Sequence, residues 1–426
     1  MNAVTDMISL SALSEEDKAV LETVKSRQDF MLERVKSWSL INTGSLNADG
    51  LNELYPLILE ALSELDANVE ALTTEPIEEI NNKGEKEYFQ TGPVLRAQAR
   101  LDAPLRVVMT GHYDTVFPPG TFTEIKDLGE GKLNGPGLAD MKGGLTVMID
   151  AMRAFEAGPF KDKLGYEIIL TPDEETGNFA SSPFLHAAAK DAHIGLTFEP
   201  AMDCDSLAGA RKGSGIWDIV FHGKASHAGR APEAGRSAIW AAADLSLRIE
   251  ALNGQREGVT FNVGKIDGGN AVNIVPDLGI LRLGARAPTP DDADWADSAV
   301  KAALKDVLDS RDGIKAHTHG GFYRPPKPRN AAQDQLLSDV QATGKALGLE
   351  LQFKDTGGVC EGNNVFAAGT PNVDTLGVRG GRIHSDEEYF VVESLSERAG
   401  LAALLLNRIA DGRINAPEIK KLMGQS

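Results

Sequence analysis

His112 and Asp114 stand two residues apart in TGHYDTVF, directly after the apolar run LRVVM, and the same placement of polar residues recurs along the chain. Glu174 and Glu175 follow YEIILT in the stretch LTPDEETG. Glu199 follows IGLTF, and His384, in RIHSDEEY, lies just past NVDTLGV. Asp140 closes the glycine-rich NGPGLAD where a helix begins. In an open α/β sheet the carboxyl ends of the strands line the ligand crevice, so these loops can converge. His112, Asp140, Glu175, Glu199 and His384 together suit two divalent cations, zinc foremost, each with one imidazole, one terminal carboxylate and a share of Asp140. Asp114, on the same side of an extended chain as His112, can accept the free ring N–H and fix its tautomer. Glu174 is left to act as a base. Any one of these residues alone reads as a helix cap or a solvated surface group; their joint recurrence at strand ends does not.

Such convergence needs alternating strands and helices. Apolar residues at three- and four-residue spacing predict helices over 14–37 and 49–65, with Ser14 and Asp49 as N-caps. Strands are expected at VEAL, PVLRAQA and LRVVMTGH, then a helix over 141–158 that stops at Gly158-Pro159. YEIILT (166–171), IGLTF (194–198) and NVDTLGV (372–378) are nearly all apolar, as strands of a largely parallel sheet buried on both faces are. From about 214 to 322 the pattern changes to β-α-β-β-α-β, the split βαβ, ferredoxin-like order. The expected fold is therefore α/β, with residues 1–213 and 323–426 forming one unit and 214–322 an inserted α+β unit. RPPKPRN (324–330) reads as a linker between them.

Bulk properties narrow the partners. A net charge of −19 over 426 residues repels nucleic acid. No apolar run approaches the roughly 18 residues that a membrane span requires. The N-terminus shows no basic residue before Lys18 and no apolar h-region, so a cytoplasmic location is expected, with a periplasmic or secreted one if a signal has been removed. Cys204 and Cys360 permit at most one bridge, which agrees with a reducing compartment.

GHYDTVF, GPGLADMKGG, LTPDEETG, FEP, ASHAG and GRIHSDEEY resemble the signatures of the di-zinc carboxypeptidase and deacylase family over nearly the whole chain. That family includes glutamate carboxypeptidase, acetylornithine deacetylase and succinyl-diaminopimelate desuccinylase, and the first is the most similar. The resemblance implies a zinc aminopeptidase-like catalytic domain with an inserted ferredoxin-like lid that mediates homodimerisation. It implies two Zn2+ per subunit, replaceable by Co2+ or Mn2+, with His112 and Glu199 on one, Glu175 and His384 on the other, and Asp140 bridging. Asp114 would support His112, and Glu174 would be the general base. By the same resemblance His227, in GKASHAG, would stabilise an oxyanion in a neighbouring subunit's site. Asn273 and Arg286 would hold the substrate carboxylate, a task suited to the planar fork of Arg. Lys212 and Arg324 are further substrate-binding candidates. His186, His193, His222, His317 and His319 match nothing and read as structural or surface residues. In place of the family's Ser-Asp-Gly/Ala-Asn run the chain has GGVCEGNN, with Cys360 and Glu361 in the Ser and Asp places, a departure that bears on the substrate pocket.

The activity implied is hydrolysis of an amide bond next to a free carboxylate, with release of a glutamate-like C-terminal residue from a peptide or an N-acyl amino acid. An N-acyl amino acid deacylase or desuccinylase is the alternative. Two readings from other classes compete. Cys360 as a nucleophile with His384 as its base would make a thiol amidase, but no local signature supports it. A silent binding protein of the same fold would have no need of Glu174. No GxSxG, HExxH or P-loop motif is present.

Overall fold

The computed structural model describes Leu10, residues 12–202 and residues 206–425, so Cys204 lies outside the described residues. At its centre is a six-stranded sheet in the order Asn68–Leu72, Val94–Ala99, Leu164–Thr171, Leu105–His112, Ile194–Thr197, Asn372–Val373. Every strand of it but Val94–Ala99 runs the same way. Alternate residues explain why the apolar runs became its middle strands. Val107 and Met109 join the cluster that holds Met148 and Leu401, whereas Val108 and Ile169 join Leu185 and Val365 on the other face. Helices Gly144–Glu156 and Ser394–Ala410 cover the first face; Ser182–Lys190 and Glu361–Ala367 cover the second. Strands packed on both faces leave little room for charge before their ends. His112 accordingly comes as the last residue of its strand.

The local readings need adjustment in places. The helix expected over 14–37 breaks at Ser26 and Arg27 into Glu15–Lys25 and Gln28–Ser39. Arg27 turns inward there to pair with the buried Asp150. Ser14 caps the first of these helices as expected, but Asn47 rather than Asp49 caps Ala48–Leu62. NVDTLGV forms a strand only over Asn372–Val373, because Thr375 takes a left-handed backbone (φ 63°) and turns the chain.

Residues 213–324 build a second sheet of four antiparallel strands: Thr260–Gly268, Leu278–Ala287, Gly213–His222, Lys315–Arg324. Helices Ala238–Glu250 and Pro290–Ser310 pack on one face of it, burying Trp217, Ile219, Leu283, Leu245 and Val300 in a separate core. On the other face a hairpin from the first unit, Ile77–Ile80 with Lys86–Phe89, lays Ile80 against Val220 and Ile280. The hairpin tip can approach so closely because Gly84 has no side chain: a Cβ there would lie 2.8 Å from Val220.

The chain crosses between the units twice, and the crossings touch. Arg211 and Lys327 exchange both backbone hydrogen bonds at 2.9 Å. RPPKPRN is therefore no loose linker. Lys327 is fully buried and donates to Asp374 at 2.7 Å, while Arg211 grips both oxygens of Asp374 at 2.9 Å. Burial alone would push the Asp374 carboxyl up, but the two cations hold it at about 2. Removing one partner from a buried ion cluster costs far more than its net contribution, because the remaining charge stays dry. Asp374→Asn should therefore lower stability by roughly 3–5 kcal/mol in urea denaturation. A loss below about 1 kcal/mol would show that the crossings do not depend on this ion cluster.

Candidate active site

Five segments at the carboxyl edge of the central sheet bring the expected residues together. His112 is buried, and its ring is fixed from behind: Nδ1 lies 3.2 Å from Asp114 Oδ1 and 3.1 Å from the Asp114 carbonyl. The same carboxylate accepts the backbone N–H groups of Glu174 (3.1 Å) and Glu175 (3.2 Å) and the Ser45 hydroxyl (2.7 Å). Asp114 thus ties the end of one strand to the loop that follows its neighbour, and fixes the imidazole orientation as it does so.

Asp140 is held from a different direction. Strands Lys132–Asn134 and Tyr389–Val391 pair antiparallel, which lays the glycine-rich loop beside the His384 loop. Glu388, buried between them, accepts the N–H groups of Ala139 (2.9 Å) and Asp140 (3.1 Å). Asp140 Oδ1 then lies 3.1 Å from His112 Nε2, and Oδ2 lies 3.2 Å from His384 Nε2. Glu175 Oε2 is 3.3 Å from the same His384 nitrogen, and Glu199 Oε1 is 3.8 Å from His112 Nε2. The cluster divides into two halves about Asp140, each with one imidazole and one further carboxylate. Glu174 also comes close, with an oxygen within 4.8 Å of ligand atoms of His112 and Glu199. His384 has a left-handed backbone (φ 64°) and a side chain 53 % exposed, so the cluster opens toward solvent on its side.

The electrostatics show a site short of positive charge. Burial and the charge of Asp140 push Glu175 up to about 8, and burial with the nearby Glu174 drives Glu199 well up. Burial would lower His112 and raise Asp140, but their mutual contact and those with Asp114 and His384 reverse both. His384, bonded to Asp140 and Glu175, rises to about 11. Imidazoles and carboxylates pressed this closely take up protons unless a cation takes their place. Glu199 Oε1 is buried without a hydrogen-bond partner. Nitrogen and oxygen donors in this number, one of them unsatisfied, fit a divalent cation pair.

A cleft of about 560 Å³ opens over the cluster, with Arg286 and Ile216 facing it from the second unit. Arg286 donates to Ser214 Oγ at its edge. Arg324 lines the same cleft but is directed at Glu174, 2.8 Å from Oε1 and 2.6 Å from its carbonyl, and also donates to Asn178. Lys212, expected to bind substrate, instead donates to the Gly258 carbonyl at 2.6 Å and does not line the cleft. His227 lies on the short strand Ser226–His227, which pairs with Ile274–Val275, and Asn273 just precedes the latter, where its carbonyl accepts the Ala228 N–H. Both are exposed and neither lines the cleft.

Cys360 is buried, caps helix Glu361–Ala367 through its sulfur, and has its thiol pushed well up by burial, which disfavours the thiolate a nucleophile needs. Glu361 is buried beside Thr171, whose hydroxyl it accepts, and burial moves it to about 8. Sequence reasoning passed over Ser45, Glu388 and the Arg211–Asp374 pair. Glu388 had a visible signal, its place in the acidic run SDEEY four residues after His384.

The helix behind Asp140 starts against the strand end that carries Glu199. A Cβ on Gly144 would sit 1.9 Å from the Phe198 carbonyl oxygen. In an exposed helix a Gly→Ala change stabilises by about 1 kcal/mol. Here Gly144→Ala should lower the melting temperature by several degrees and loosen the site. A raised melting temperature would contradict this close packing.

The profile described as Peptidase family M20/M25/M40 matches residues 108–408. The chain is 25% identical to carboxypeptidase G2 of Pseudomonas sp. (strain RS-16) over 415 residues, 96% of each chain. It is 26% identical to the succinyl-diaminopimelate desuccinylase of Bordetella parapertussis over 326 residues, 71% of this chain and 82% of that one. Among solved structures, a tripeptidase from Staphylococcus aureus superposes with a TM-score of 0.67 at 22% identity, covering 90% of this chain and 99% of that one. An M20 family metallo-carboxypeptidase from Sulfolobus solfataricus gives 0.66 at 15% identity, covering 93% and 99%.

Proposed function

The chain belongs to peptidase family M20/M25/M40, and from that premise we propose that it is a two-metal carboxypeptidase cleaving the amide bond next to a free carboxylate. The observation that carries the reading is the division of Asp140, one oxygen toward His112 and the other toward His384. In this reading His112 and Glu199 would hold one zinc ion and Glu175 and His384 the other, with Asp140 available to both. Bound cations would supply Lewis acidity toward the substrate carbonyl and make a water easier to deprotonate.

The remaining steps fall to the chain itself. Glu174 takes a proton from the attacking water and returns it to the leaving nitrogen. Arg324 holds Glu174 Oε1, which leaves the other oxygen to face the water. Asp114 keeps the His112 ring turned so that Nε2 faces the cluster. Arg286, at the cleft edge, binds the carboxylate of the released residue. In this proposal residues 1–213 and 323–426 are the catalytic unit, and 214–322 are a lid that closes on substrate. Two copies pair through the lid, which would bring the partner subunit's His227 to the developing oxyanion, while Asn273 joins Arg286 in holding the substrate carboxylate. The exposed Trp240, Leu247 and Val272 on that unit are apolar surface of the kind such pairing covers.

With two zinc ions bound, Glu174→Gln should lower kcat by roughly 10²–10⁴-fold while metal content, read by elemental analysis, stays the same. Chelation should abolish activity, and added zinc should restore it. A Glu174→Gln protein that keeps most of its activity would sink the general-base assignment, and chelator-resistant turnover would sink the metal reading.

A further inference from the structure

Among the described residues the cleft over the cluster has four arginines, and three of them already pair with a carboxylate. Arg211 spends its guanidinium on both oxygens of the buried Asp374. Arg324 is buried against Glu174 and Asn178. Arg382, on the His384 loop, pairs with Glu387 at 2.7 Å. Arg286 differs: its hydrogen-bond partners are the neutral Ser214 hydroxyl and the Ala285 carbonyl, both reached through Nη1. It is the cation best placed to take the single carboxylate that every C-terminal residue carries.

Beside Arg286 stands Ser214, whose hydroxyl also meets that of Tyr323, and next along the same strand comes the exposed, apolar Ile216. Strand alternation puts Ser214 and Ile216 on one face of the sheet, opposite Arg286 and Gly284 on the next strand. Ile216 is flanked by glycine on both sides, Gly284 on one neighbouring strand and Gly321 on the other. A Cβ on Gly321 would meet nothing within 4 Å, and one on Gly284 would meet only backbone oxygens at 4.0 Å. Ile216 therefore stands 39 % exposed in a shallow hollow with no side chain beside it on either strand. Across the cleft the loops present Met202, Val359 and Ile383.

From this distribution we infer that the released residue carries an uncharged, apolar side chain, and that Ile216 selects for it. The inference rests on the carboxypeptidase reading and departs from the glutamate-like residue implied by the sequence resemblance. A second carboxylate would enter a hollow with Ile216 at its centre and, among the described residues, no uncommitted cation beside it. A carboxylate desolvated without a partner is strongly disfavoured, whereas a leucine or methionine side chain gains from covering Ile216.

The test compares release of the C-terminal residue from N-acetyl-Ala-Leu, -Ala-Met, -Ala-Glu and -Ala-Asp by the zinc-loaded protein. Leucine or methionine should exceed glutamate by at least about 10-fold in kcat/KM. Ile216→Lys should reverse that order, raising glutamate release and lowering leucine release. Glutamate preferred by the unaltered protein, or an order that Ile216→Lys leaves in place, would overturn the inference. If no peptide is cleaved, the carboxypeptidase reading fails by itself. The inference is then decided by thermal shift of the zinc-loaded protein with N-acetyl-leucine and N-acetyl-glutamate. Stabilisation by the leucine derivative alone supports it; stabilisation by the glutamate derivative, or by neither, overturns it.

Discussion

Everything at the site hangs on the carboxylate of Asp114. It accepts from the ring of His112, from two successive backbone N–H groups at Glu174 and Glu175, and from Ser45. Charge-assisted bonds of this kind are the strong ones, and here they join three separate segments of the chain. With Asp114 in place, the backbone of the loop after Leu164–Thr171 is fixed, and so are the starting points of Glu174 and Glu175. The ring of His112 points away from that anchor toward Asp140. A neutral side chain of the same shape could receive some of these donors but not all, since an amide nitrogen would face an N–H.

The opposite side of the cluster is fixed by Glu388, which does for Asp140 what Asp114 does for the loop of Glu174. Two buried carboxylates thus hold the backbone while the others face the open space. This costs stability: Glu175, Glu199, Glu361 and Glu388 are all driven upward by burial. A fold that selected only for stability would not gather acids in this way, and the compensation lies in the apolar sheet beneath them.

Much of this was legible in the sequence, for a physical reason. Strands buried on both faces are nearly pure in apolar residues, so the titratable groups that follow each one mark the edge of the sheet. His112, Glu174, Glu175 and Glu199 could be read in that way. The order of the inserted unit was equally plain, because half-buried strands alternate. What the sequence hid depended on distant partners. Arg324 looked like a cation available to substrate, yet the last strand of the second unit delivers it to Glu174. Lys327 lay in a proline-rich stretch that reads as solvent-exposed, and only Asp374, nearly fifty residues later, gives it a reason to be buried. The left-handed turn at Thr375, a β-branched residue, has no local signal at all.

The touching crossings at Arg211 and Lys327 have a consequence for how such a protein can be rebuilt. An inserted segment whose ends lie one backbone hydrogen bond apart is a cassette: its interior could be exchanged without reopening the central sheet, provided the replacement again covers Ile80 of the host hairpin. The exchange is not free of conditions. The outgoing strand ends in Arg324, in register with Ser214, and that arginine pairs with Glu174 of the host. Any replacement would have to return the chain with a guanidinium at that position. The graft point of the cassette is thus also a point at which the host can sense whether its guest is correctly seated.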